Sequence, residues 1–151
     1  MTRLLLDAML GRLTTYLRMC GYDVVYTLDE GLEADEEILA SADSESRTLL
    51  TRDRELAGRC DDALLLDSRE IADQLAELAV AGFELDLPER PERCSVCNGT
   101  LDRVGPAHDT PEYAPDPAEV AVWQCECCGQ HFWKGSHWDD VEQTLEDIES
   151  S

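Results

Sequence analysis

Four of the seven cysteines stand in two CxxC pairs, Cys94 with Cys97 and Cys125 with Cys128, with 27 residues between the pairs. Two such pairs supply four thiolates to one tetrahedral zinc, and a site with no open position is structural. The spacer exceeds the common ~12 to 20 residues, so it should hold a hairpin plus a loop. Residues 110–117, TPEYAPDP, carry three prolines and mark that loop. Cys127 lies inside the second pair and competes as a ligand, and His131 is a further candidate, but Cys125 and Cys128 give the better register. Disulfides are the alternative use of such cysteines. Cys20 and Cys60 sit in apolar contexts and read as small core residues.

A second set of residues could hold a different kind of ion. Asp7 directly follows the apolar run LLL, Asp53 follows LLTR, and Asp35 opens a helix-like stretch. Ligands of open parallel sheets bind beyond the carboxyl ends of the strands, where Asp7 and Asp53 would lie. Carboxylates around one cleft suit magnesium or manganese, which take oxygen ligands. Such an ion can generate a hydroxide nucleophile and stabilise charge on a phosphodiester. Among 34 acids, surface decoration and helix capping are the competing explanations, and Asp35 before EEIL reads as an N-cap. Asp7 and Asp53 are better placed, because a carboxylate next to an apolar run is costly to desolvate unless something binds it.

The elements that would position these residues alternate. Residues 3–6 read as a strand. In the following helix Leu10, Leu13, Leu17 and Cys20 share one face, Arg12, Thr15 and Arg18 the other, and Gly21 stops it. Strands are expected at 23–27, 48–51 and 63–66, and helices at 35–42, 54–60 and 70–81. This alternation predicts an α/β domain with a parallel sheet wound by right-handed crossovers, covering residues 1–87. Pro88 and Pro91 mark a linker into a second unit, residues 88–151, holding the cysteine pairs and an acidic helix at 139–149. No Walker or dinucleotide glycine motif is present.

The 151 residues carry 12 Lys plus Arg against 34 Asp plus Glu, a net charge of -22, and 43% are apolar. A core is therefore expected and wholesale disorder is not. No apolar run reaches the ~18 to 20 residues of a membrane helix, and Asp7 and Arg12 interrupt the first one, so a cytoplasmic protein is expected. Eleven of the basic residues are arginine and only Lys134 is lysine. That pattern fits a halophilic host, where concentrated salt screens self-repulsion. The overall charge argues against nucleic-acid binding. Locally it does not: residues 1–28 and 47–60, which contain Asp7 and Asp53, are each net positive. Arginine forks match phosphates, so this pattern suits a phosphate backbone drawn to a metal-carboxylate centre.

The stretches LLLDAMLGRLTTYLRMCGYDVVY, RTLLTRDRELAGR, RCSVCNGTL and CECCGQHFWKGSHWDDV resemble, in that order, the Mut-seven C-terminal RNase family. The likeness spans nearly the whole chain through D-x-MLG-x-L, TRD, the paired CxxC knuckles and W-x-GSHW. It implies a PIN-like α/β nuclease fold, a parallel sheet flanked by helices, followed by a C-terminal zinc ribbon. Carried over by position, it implies catalytic acids at Asp7, Asp35 and Asp53, with Asp67 a candidate fourth. It places structural zinc on Cys94, Cys97, Cys125 and Cys128.

The leading expectation is therefore a metal-dependent ribonuclease. Asp7, Asp35 and Asp53 would hold magnesium or manganese, and Arg12, Arg18, Arg52 and Arg54 would position RNA. His137 would contact phosphate or shuttle a proton; the alternative is a histidine packed between Trp133 and Trp138. Trp123, Phe132, Trp133 and Trp138 could stack unpaired bases or simply form the small module's core. The competing function is a non-catalytic RNA- or protein-binding module keeping the same shell. A toxin-like nuclease held by an antitoxin-like protein partner is a third reading.

Overall fold

The computed structural model describes residues 2–149. Four short strands, β1 (Arg3–Leu6), β2 (Asp23–Tyr26), β3 (Thr48–Thr51) and β4 (Ala63–Leu65), form one sheet in the order β2-β1-β3-β4. All three pairings are parallel, with Leu5 level with Val25 on one side and Leu49 on the other. The run LLL is apolar throughout because β1 is central and buried on both faces.

The strand order reverses direction at β1, and the helices accordingly divide between the faces. After a 3-10 turn at Ala8–Leu10, α1 (Gly11–Met19) covers one face together with α4 (Ile71–Val80). There Leu13, Leu17, Leu75 and Leu78 pack on Leu4, Leu6, Val24 and Leu50. The other face is covered by α2 (Asp35–Ser44) and α3 (Arg54–Gly58), whose Ile38, Ala42 and Leu56 pack on Leu5 and Leu49. Ligands of such sheets bind where the order reverses, which here is between the carboxyl ends of β1 and β3.

Beyond residue 87 the chain builds a second, antiparallel sheet from β5 (Leu101–Arg103), β6 (Trp123–Cys125) and β7 (His131–Phe132). Its core is small: Cys94, Leu101, Trp123 and Cys125. The last helix, α5 (Ser136–Glu149), starts at Ser136 instead of 139, a little under one turn earlier than expected, taking in Ser136 and His137. Trp138, Val141 and Leu145 recur at helical spacing and pack into the α1/α4 core, not into the ribbon. A division of the chain at 87/88 thus separates α5 from the core it completes.

Candidate functional site

Side chains alternate along a strand, so the residues that follow each strand inherit a face. On β1, Leu5 faces α2 and α3, and Asp7 continues that face; on β3, Leu49 does so and Thr51 continues it. The two meet at the crevice. Thr51 Oγ1 donates to Asp7 Oδ2 at 2.7 Å, and the Asp53 backbone N–H donates to the same hydroxyl oxygen at 3.0 Å. Asp7 is held further by its N–H donating to Leu50 O, and its Oδ1 accepts from Ala8 N at 2.8 Å. Asp53 caps α3, its Oδ1 accepting from Glu55 N and Leu56 N. Its Oδ2 takes no hydrogen bond among the described residues. Thr51, fully buried and linking both acids, is the residue that sequence reasoning missed.

The rim of the crevice is partly defined by Tyr26 at the end of β2. Its hydroxyl donates to Ala8 O at 2.6 Å, and a Cβ at position 11 would fall 2.9 Å from that oxygen, so Gly11 lets the ring cross the start of α1. Burial, with the charges of Asp29 and Asp7, pushes the Tyr26 phenol pKa up and keeps it a neutral donor. Asp35 is the first residue of α2, and Ala34 takes the N-cap position expected of it. Its carboxylate lies 3.7 Å from Arg59 at the end of α3. Asp67 is exposed beyond β4, in a loop whose Asp67 and Ser68 N–H groups donate to the Glu77 carboxylate.

The arginines fall into two groups. Arg12 and Arg54 are exposed, Arg52 is half-buried with a Nε that has no partner, and none of the three forms an ion pair among the described residues. Arg3, Arg18, Arg47 and Arg59 are all paired with carboxylates. Arg47 is buried at the amino end of the sheet, where its guanidinium donates to Leu4 O and to Asp23 Oδ1.

The expectation for Arg18 needs correction. It is buried, not exposed beside Arg12, because the first cysteine knuckle covers that side of α1. Its Nε donates to Val24 O at 3.1 Å and its Nη1 to Ser95 O and Val96 O at 3.1 and 3.2 Å. Asn98 completes this joint: its Oδ1 accepts from Val24 N at 2.9 Å and its Nδ2 donates to Asp23 Oδ1 at 2.8 Å. With φ at 74° it occupies a left-handed conformation that asparagine tolerates. Arg18 therefore fastens the ribbon to the sheet and is not free to hold RNA.

Within the knuckles, the four sulfur atoms of Cys94, Cys97, Cys125 and Cys128 lie within 4.8 Å of one another. The Cys94–Cys128 and Cys97–Cys125 separations are 3.7 and 3.5 Å. A tetrahedron with zinc–sulfur bonds of about 2.3 Å has edges of about 3.8 Å, so the donor set fits zinc in both chemistry and size. Backbone N–H groups aim at the sulfurs: those of Val96 and Cys97 at Cys94, those of Cys127 and Cys128 at Cys125. Burial opposes ionisation of Cys125, yet these donors and the neighbouring thiols bring its pKa down to about 7. Burial holds the Cys94 thiol up, a penalty that a bound cation would remove. Neither Cys127 nor His131 belongs to the cluster. Among the described residues this is also the one group of three or more His, Cys, Asp or Glu gathered so closely, so Asp7, Asp35 and Asp53 do not form a comparable cage.

A family model described as the Mut7-C RNAse domain matches residues 2–145, from β1 to the buried face of α5. The chain belongs to this family. A comparison with curated proteins and one with solved structures find no match. Membership in the Mut7-C RNAse domain family places a ribonuclease-type function on a chain whose parallel sheet, flanking helices and four-cysteine cluster are as the sequence led one to expect. None of the helices is long and apolar enough to cross a membrane, among the described residues. His137 is exposed on the first turn of α5 and, with Trp133 and Trp138, lines a cavity that none of the three aspartates reaches.

Proposed function

We propose that the protein is a divalent-metal-dependent ribonuclease that hydrolyses RNA phosphodiester bonds in the crevice between β1 and β3. The observation that carries this reading is the Asp7–Thr51–Asp53 hydrogen-bonded line at the point where the strand order reverses. The donor set fits a hard cation: one hydroxyl holds the Asp7 carboxylate and the Asp53 backbone, and Asp53 Oδ2 is unengaged among the described residues. Magnesium or manganese typically takes one or two carboxylates and keeps several waters. Asp7 and Asp53 would hold it, and such an ion supplies an activated water and neutralises phosphate charge.

The chain's own residues would do the rest. Thr51 fixes the Asp7 carboxylate through Oδ2 and orders the Asp53 backbone. Arg12, Arg52 and Arg54, which form no ion pair among the described residues of a chain of net charge -22, can draw a phosphate backbone to the crevice. Asp35 would join the centre once Arg59 turns from it to the incoming RNA. The zinc ribbon braces the β2 edge through Asn98 and Arg18. The composition supports activity in the cytoplasm of a cell with concentrated salt.

The specific observation favouring the other reading, a non-catalytic binding module, is the Asp35–Arg59 pair at 3.7 Å. Anomalous scattering from a manganese-soaked crystal separates the two. A manganese peak against Asp7 and Asp53, with a zinc peak among the cysteines, supports the nuclease. A zinc peak alone at saturating manganese supports the binding module.

A further inference from the structure

We infer that the cavity between the ribbon and the start of α5 is a pocket for one unpaired nucleobase. Its volume is about 250 Å³, and Phe132, Trp133, His131, His137, Trp138 and Arg93 line it. That lies just under the ~300 Å³ where pockets for drug-sized ligands begin, so it suits a single flat ring system. Of the four aromatic side chains first considered for stacking, Trp123 is a core residue outside the cavity and Trp138 is buried in its wall, whereas Phe132 and Trp133 are half-buried and line it. Trp133 is set there deliberately by its neighbour: a Cβ on Gly135 would come 2.6 Å from the indole Nε1.

His131 closes one wall of the pocket. It is over nine-tenths buried, and its Nε2 is shut off from solvent with no hydrogen-bond partner among the described residues. The His131 backbone N–H donates to Tyr113 Oη at 3.0 Å, and the same hydroxyl lies 3.4 Å from Nδ1, so the ring is held in place. Burial and the neighbouring His108 push the imidazole pKa down, consistent with a neutral ring. A nucleobase entering here would be held by stacking on the exposed ring faces.

Charge complementarity selects the polymer. Arg93 lines the cavity and forms no ion pair among the described residues, its Nη1 donating to Asn98 O. Lys134 sits 5.5 Å over the Trp138 ring. Cations beside an aromatic platform are what unpaired RNA requires. The inference rests on RNA being the substrate and adds a base subsite away from the phosphodiester centre. Asp7 precedes the start of α1, and Met19 at the helix end lines the cavity, a rise of about 12 Å along α1.

The test uses zinc-loaded protein without added magnesium or manganese. It is titrated with hexauridylate and with an abasic hexamer of the same backbone, following tryptophan fluorescence. Binding of hexauridylate about ten-fold tighter than the abasic hexamer is expected, the loss of one base stack. Trp133→Ala should abolish the difference. Should that variant unfold the ribbon, Ser136→Trp at the exposed cavity mouth blocks entry and should abolish it too. Equal binding of the two hexamers, or binding of neither, overturns the inference even if the protein cleaves RNA. Base-dependent binding by a chain that cleaves nothing upholds the pocket and removes the nuclease reading instead.

Discussion

Thr51 donates its hydroxyl to Asp7 Oδ2 at 2.7 Å and accepts from Asp53 N at 3.0 Å, so one buried side chain sets two strand-end acids. Thr51→Val keeps the shape and removes both bonds. Leaving the two groups unpaired should cost about 1–3 kcal/mol of stability, read by chemical denaturation. RNA cleavage should fall at least ten-fold at a temperature where the variant is still folded. A variant as active as wild type would separate Thr51 from the chemistry.

Arg18 should behave as a structural residue. Arg18→Ala strands three carbonyl acceptors at the ribbon joint and leaves Asp29 without its partner. A loss of about 2–4 kcal/mol is expected, in the range for removing one member of a buried polar network. RNA affinity of the folded fraction should change little, whereas Arg54→Ala, on an exposed side chain, should weaken RNA binding with little change in Tm.

Removal of zinc should be felt across the joint. Native mass spectrometry should find one zinc per chain, lost in Cys97→Ser. Val24 N–H, which donates to Asn98 Oδ1 of the knuckle, should then exchange faster with solvent, while Leu50 in the sheet centre stays protected. Unchanged exchange at Val24 in the zinc-free protein would show that the ribbon and sheet are not coupled.

Acid should weaken the same region. Burial works against the Asp23 carboxylate, but hydrogen bonds from Asn98 and Arg47, with the charges of Arg47 and Arg93, hold its pKa below the ordinary 3.8. A depressed folded pKa gives stability that is present above the ordinary value and lost as pH falls through the folded one. Asp23→Asn should therefore be less stable than wild type near neutral pH, with the gap closing below about pH 4. A gap that persists at low pH would assign the loss to packing.

What the sequence made legible follows from range. LLL, DVVY and TLLT announce buried strands by their own residues, and the acids after them mark the sheet edge. The CxxC pairs carry their chemistry in their spacing. Arg18 was hidden because its partners Ser95 and Val96 lie 77 and 78 residues away. On a helical wheel it borders the apolar face, and only the docked knuckle decides that it is covered. Arg47 is similar, since Leu4 O is 43 residues distant. Thr51 could have been suspected from strand alternation, as the polar residue in register with Asp7. Asn98, just after a CxxC, carried the usual signal of a left-handed turn but none of its grip on β2. That Trp138 joins the α1/α4 core was not legible, because nothing local says that α5 returns to α1 and α4.

The most direct measurement is the single-turnover rate of cleavage of a labelled single-stranded RNA by wild type, Asp7→Asn and Asp53→Asn, in manganese and concentrated salt. Wild type should cleave only with the divalent ion present, and each variant should lose at least a hundred-fold while keeping its zinc and its fold. Cleavage that survives both substitutions, or proceeds equally well without magnesium or manganese, would contradict hydrolysis at the Asp7–Thr51–Asp53 line.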